Sequence, residues 1–159
     1  MLLGGCMGST LGSLPGDQIQ PSAQPQPTGE IIGTGGVRIG LLLPLASSDG
    51  NASIGTVFKN AASLALQNFP SADVQLLVKD TGGTSEGGRA AAQAAISEGA
   101  ELILGPVFSP AVSGAAQAAR ATGVPVIAFS TDTSVASRGV YLLSFLPESD
   151  VKRTIGAGQ

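Results

Sequence analysis

The chain reads as an α/β fold, a three-layer sandwich on a mainly parallel sheet, and three observations predict it. Apolar runs recur at Leu41 (LLLPL), Leu76 (LLVK), Leu102 (LIL) and Val126 (VIAF). Each run ends in a loop of small, hydroxylated or Gly/Pro residues: ASSDG, DTGGTS, GPVFSP and STDTS. Those loops open segments whose apolar residues recur at helical spacing, so strand and helix alternate. Near-continuous apolar strands are the kind that helices cover on both faces.

Taken in order, VRIGLLLPL from Val37 is a buried first strand stopped by Pro44. After the turn residues Ser47 to Asn51, the apolar positions Ile54, Val57, Phe58, Ala61, Ala65 and Phe69 mark a helix that Pro70 ends. Asp73 to Lys79 is the second strand. Thr84 or Ser85 caps a helix that runs through the alanines at 90 to 95 to Glu98, with Gly99 at its carboxyl end. Glu101 to Leu104 is the third strand. Ser109 followed by Pro110 is a cap-then-proline start for a helix with Val112, Ala115, Ala116 and Ala119 on one face, ended by Gly123. Val124 to Phe129 is the fourth strand. Val140 to Phe145 is a candidate fifth, with Tyr141 at a core or edge position, and a last helix begins near Ser149 or Asp150. Alanine and glycine dominate the helices, so polar chemistry falls to the loops.

Composition removes several function classes. A length of 159 residues and an apolar fraction of 43% suit one packed domain. The net charge is -3, and the eight basic residues are scattered, which gives a phosphate backbone nothing to follow; nucleic acid is not expected as a partner. With no histidine and one cysteine, the common nucleophile triads and zinc-ligand sets are missing, so neither catalysis nor a metal is expected. Gly33 to Gly36 precedes the first strand instead of following it, Thr81-Gly82-Gly83 lacks a third glycine in register, and no Gly-Lys-Ser/Thr occurs. No nucleotide cofactor is expected either. Asp80 at the end of the second strand is read as a turn or capping residue.

Leu3-Gly4-Gly5-Cys6 resembles a bacterial lipobox, in which Cys6 receives lipid. Residues 1–6 are accordingly read as the remnant of a lipoprotein signal. Residues 7–36, rich in Gly, Ser, Pro, Gln and Thr with only Asp17 and Glu30 charged, are read as a flexible tether. Such a tether reaches on the order of 30 Å. No apolar run approaches the ~20 residues of a spanning helix.

In a parallel sheet, ligands sit outside the carboxyl ends of the strands, where helix N-termini and hydroxyls hold anions such as carboxylates. Ser47, Ser48, Ser109, Ser130, Thr131 and Thr133 fall at three such ends. Their types suit a carboxylate or an amino acid, and each also suits a helix cap with no ligand at all.

The segments VRIGLLLPL, LLVKDTGG, GAELILGPVFSP, GVPVIAFSTDTS and RGVYLLSFLPESD together resemble the first lobe of type I periplasmic solute-binding proteins, the leucine/isoleucine/valine-binding family. The likeness runs from about Val37 to Gln159, so residues 37–159 are read as an incomplete N-terminal lobe of a longer, two-lobed protein. It implies an extracytoplasmic receptor at the bacterial cell envelope that hands a small-molecule ligand such as an amino acid to an ABC transporter permease. DTGG, GAELILGPVFS and the lipobox look closest to a branch of lipoprotein activators of penicillin-binding proteins, which regulate peptidoglycan synthesis. Carried over by position, Val107 and Ser109 match the third-strand loop that holds the ligand carboxylate, and Ser130, Thr131 and Asp132 match the fourth-strand loop. Two departures stand out. Asp132 replaces a threonine that meets the ligand, and Ile54 replaces an aromatic wall of the first loop.

Overall fold

The structure, a computed structural model, describes residues 25–46 and 51–143. In chain order the elements are β1 (Ile31–Ile32), β2 (Val37–Leu43), α1 (Ala52–Asn68), β3 (Val74–Asp80) and α2 (Ser85–Ser97). They continue as β4 (Leu102–Leu104), α3 (Ser109–Thr122), β5 (Val126–Ala128), a 3-10 turn (Thr133–Val135) and β6 (Val140–Leu142). The strands form one sheet in the order β1-β3-β2-β4-β5-β6, parallel except where β1 runs antiparallel to β3. The predicted α/β class and mainly parallel sheet are therefore present. Residues Ser144 to Gln159, which include the end of the expected fifth strand and the last helix, lie outside the described residues, as does Cys6.

Side chains on the two faces of the sheet feed two cores. Leu42, Leu77 and Ile103 point into one with Ala91, Ala92 and Ala95 of α2 and Val112, Ala115 and Ala119 of α3. Leu41, Leu43, Leu76 and Val78 point into the other, covered by Phe58, Ala62 and Leu66 of α1. The period of two along a strand makes this division, because neighbouring residues face opposite layers. Small residues let the first layer close tightly. A Cβ on Gly88 would lie 2.2 Å from the Ala111 carbonyl oxygen, and one on Gly114 would lie 2.0 Å from that of Ser85, so α2 and α3 touch backbone to backbone.

Two expectations are corrected. The apolar stripe expected of α1 is not its buried face. Phe58 packs inward, but Val57 and Phe69 are 65% and 68% exposed, and the inward positions Gly55, Phe58, Ala62 and Leu66 form a different stripe. Both stripes obey helical spacing, so periodicity alone cannot choose between them.

The second correction concerns the tether expected over residues 7–36. Its end is part of the sheet, since Ile31 and Ile32 pair with Leu77 and Leu76. Lys79 Nζ donates to the Thr28 carbonyl (2.6 Å) and to Glu98 Oε1 (2.8 Å), the Thr28 hydroxyl donates to the same Glu98 oxygen (2.6 Å), and Arg38 donates to the Pro25 carbonyl (2.9 Å). A Pro- and Gly-rich composition reads as linker, yet two β-branched residues between Gly29 and Gly33, both at positive φ, suffice to pair with an open strand edge.

Candidate functional site

The parallel strands β2, β3, β4 and β5 deliver their carboxyl ends to one edge, and the loops there are held to one another by specific contacts. At the end of β3 the Asp80 carboxylate accepts the N–H groups of Leu45 (2.7 Å), Ala46 (3.2 Å) and Gly82 (2.9 Å) through Oδ1, tying the loop after β2 to its own. That goes beyond the turn role expected of it. After β4, Gly105 adopts φ +86, and a Cβ there would sit 2.3 Å from the Leu42 carbonyl oxygen, so the chain turns against β2 where only glycine fits. The Phe129 N–H donates to the Pro106 carbonyl at 2.9 Å, which joins the loops after β4 and β5. Phe129 also stacks on Phe58 of α1, with ring centroids 4.9 Å apart, and so fixes the backbone just before Ser130.

On this frame Ser109 and Ser130 converge, with their hydroxyl oxygens 3.3 Å apart. Ser130 is only 4% exposed and accepts the Asp132 N–H at 3.2 Å. Asp132 Oδ1 accepts both the N–H (2.9 Å) and the hydroxyl (2.6 Å) of Ser134. The Ser134 hydroxyl, then its N–H, then the Ser109 hydroxyl hold the Asp132 carboxyl below its ordinary value of 3.8, so it is charged at neutral pH.

Of the residues singled out from sequence, the structure gathers Ser109, Ser130 and Asp132. Ser109 is the first residue of α3 and not its cap: Phe108 holds the cap position with no side-chain hydrogen bond, and the Ser109 hydroxyl turns to Ser130 instead. Val107 is half-buried and packs with Phe129 against the α1-side core. Thr131 and Thr133 are exposed beside the cluster. Ser47 and Ser48 lie outside the described residues. Ile54 is exposed in the first turn of α1, and Tyr141 is exposed on the edge strand β6.

Sequence reasoning missed Ser134, whose signal was the Asp-x-Ser spacing of an Asx turn, and the Phe58–Phe129 stack, which carries no local signal. Among the described residues there is no group of His, Cys, Asp and Glu able to hold a metal, and no helix long and apolar enough to cross a membrane. A cavity of about 230 Å³ lined by Arg120, Val124, Arg138 and Val140 lies at the opposite, amino-terminal ends of β5 and β6. The hydroxyl cluster sits instead on an open edge.

The family described as periplasmic binding protein matches residues 36–158. No curated protein matches the chain. Among solved structures, the leucine binding protein LivK of Thermotoga maritima is 26% identical with a TM-score of 0.62, over 69% of this chain and 33% of that one. The LivJ substrate binding protein of Streptococcus pneumoniae, in complex with isoleucine, is 21% identical with a TM-score of 0.59, over 68% and 33%. A solute binding protein of an ABC transporter from Rhodopseudomonas palustris BisB5, in complex with 3,4-dihydroxy benzoic acid, is 24% identical with a TM-score of 0.60, over 68% and 31%. The chain thus spans about a third of the length of these structures. Match and fold agree: the chain belongs to the periplasmic binding protein family, and its sheet and helices follow the type I fold.

Proposed function

We propose that the chain is part of the first lobe of an extracytoplasmic solute receptor that captures an amino acid and presents it to the permease of an ABC transporter. It performs no chemistry of its own. Lipid on Cys6 holds it to the bacterial membrane, and the residues from Met7 up to the described segment that begins at Pro25 form the tether. One observation carries the reading: Ser109, Ser130 and Asp132, from loops after two adjacent parallel strands, converge at the strand ends where α/β sheets take ligands, in a chain of this family. A ligand there meets hydroxyls and backbone groups and no nucleophile–base pair. The test is titration of the isotopically labelled chain with the standard amino acids, followed by amide shifts. Saturable shifts at Ser109, Ser130 and Asp132 are expected; none with any amino acid would count against the reading.

A second reading is favoured by Asp132, whose carboxylate occupies donors that a ligand would otherwise use. An edge satisfied from within needs no solute, which fits a lipoprotein activator of a penicillin-binding protein. Crosslinking in the native envelope separates the two: a permease partner supports the first, a penicillin-binding protein the second.

A further inference from the structure

Resting on the ligand reading above, we infer that the edge formed by Ser109, Ser130 and Asp132 receives the cationic or neutral hydrogen-bond-donating pole of its ligand, an ammonium in the case of an amino acid, and excludes carboxylates. The geometry shows where the donors go. A ligand carboxylate at this edge would need the N–H groups of the loop after β5 and the hydroxyls beside them. The Asp132 N–H is already given to Ser130 Oγ, and both Ser134 donors are given to Asp132 Oδ1. The Ser109 hydroxyl, at the first residue of α3, is paired with the Ser130 hydroxyl at 3.3 Å. Asp132 therefore brings its own negative charge to the start of α3, the place where a helix N-terminus would attract a ligand anion.

The surrounding loops reinforce this. Residues 44–46, 80–84, 105–109 and 129–134 contain the carboxylates Asp80 and Asp132 and no Lys or Arg. Lys79, next to the edge in sequence, is buried against Glu98 and Thr28 on the α2 side. Among the described residues of these loops a ligand carboxylate meets like charge with no counter-ion, whereas an ammonium finds an exposed carboxylate and the hydroxyl oxygens of Ser109 and Ser130 as acceptors.

The experiment uses the labelled 159-residue chain and two probes of one shape and opposite charge, benzylamine and benzoate, followed at the Ser109, Ser130 and Asp132 amides. Benzylamine is expected to shift these amides saturably, and benzoate to need about tenfold more or to give no shift. Asp132→Asn keeps an acceptor for the Ser134 N–H and removes the charge; it is expected to bring the two probes to within about threefold of each other. Benzoate acting at lower concentration than benzylamine on the unaltered chain would overturn the inference and leave the ligand reading standing. An unchanged preference in Asp132→Asn would overturn the role given to Asp132. No shift with either probe, in either chain, would overturn the inference and the ligand reading together.

Discussion

The Lys79–Glu98 pair offers the sharpest quantitative test of how the lobe is held together. Its side chains are 10% and 9% exposed, Nζ lies 2.7 Å from Oε2 and donates to Oε1 at 2.8 Å, and Thr28 closes over both. Oε2 takes no hydrogen bond among the described residues, so the ion pair alone compensates that oxygen. Glu98→Ala leaves a buried ammonium with only the Thr28 oxygens, and breaking such a pair costs about 3 to 5 kcal/mol. The remaining Thr28 acceptors place the expected loss at the lower end, about 3 kcal/mol, or a fall of about 10 °C in Tm for a chain of this size. Replacing both partners, as in Lys79→Met with Glu98→Leu, is expected to recover most of that loss, because no charge is then left buried.

Burial pushes the Glu98 carboxyl up, but the hydrogen bonds from Lys79 and Thr28 and the Lys79 charge outweigh it and hold the group below its ordinary 4.5. A carboxyl lowered in the folded state stabilises fully well above pH 4.5, and that stabilisation decays as pH falls through the lowered value. Urea unfolding across the acid range measures both effects. A loss under about 1 kcal/mol in Glu98→Ala, or a double variant no better than the single, would show that water reaches the pair and refute the reasoning.

Other outcomes follow from the packing. Gly88→Val drives a side chain into the Ala111 carbonyl 2.2 Å from its Cβ, and a loss of at least about 2 kcal/mol is expected by urea unfolding. On α1, Phe58→Ala removes the stack on Phe129 and is expected to cost about 2 to 3 kcal/mol, while Leu64→Ala, 58% exposed on the same helix, should stay within about 0.5 kcal/mol. Asp80→Ala releases the Leu45 and Ala46 N–H groups, so hydrogen exchange at those amides is expected to speed up about tenfold or more while the α3 amides keep their protection.

Legibility in the sequence tracked how local the cause was. The cap of α2 by Thr84, which accepts the Gly87 N–H, and the end of α3 at Gly123 in the left-handed region depend on neighbours a few residues apart, and both were readable. Which apolar residues of α1 face inward was not decided by the sequence, because Val57 and Phe58 are adjacent and both apolar, and only packing against the sheet determines that Phe58 is covered and Val57 is not. The Ser109, Ser130 and Asp132 grouping was foreseeable from strand ends, since parallel strands carry their carboxyl ends to one edge whatever their order.

What the sequence by itself determined was the alternation of strand and helix, the parallel sheet, and the edge where polar loops gather. Those follow from hydrophobic period and turn chemistry, which act over a few residues. Tertiary structure alone decided that Ile31 and Ile32 close the β3 edge, that Lys79 and Glu98 meet under Thr28, and that Phe129 stacks on Phe58. All three are contacts between residues distant in the chain. Burial and hydrogen-bond partners of that kind exist only once the layers have packed.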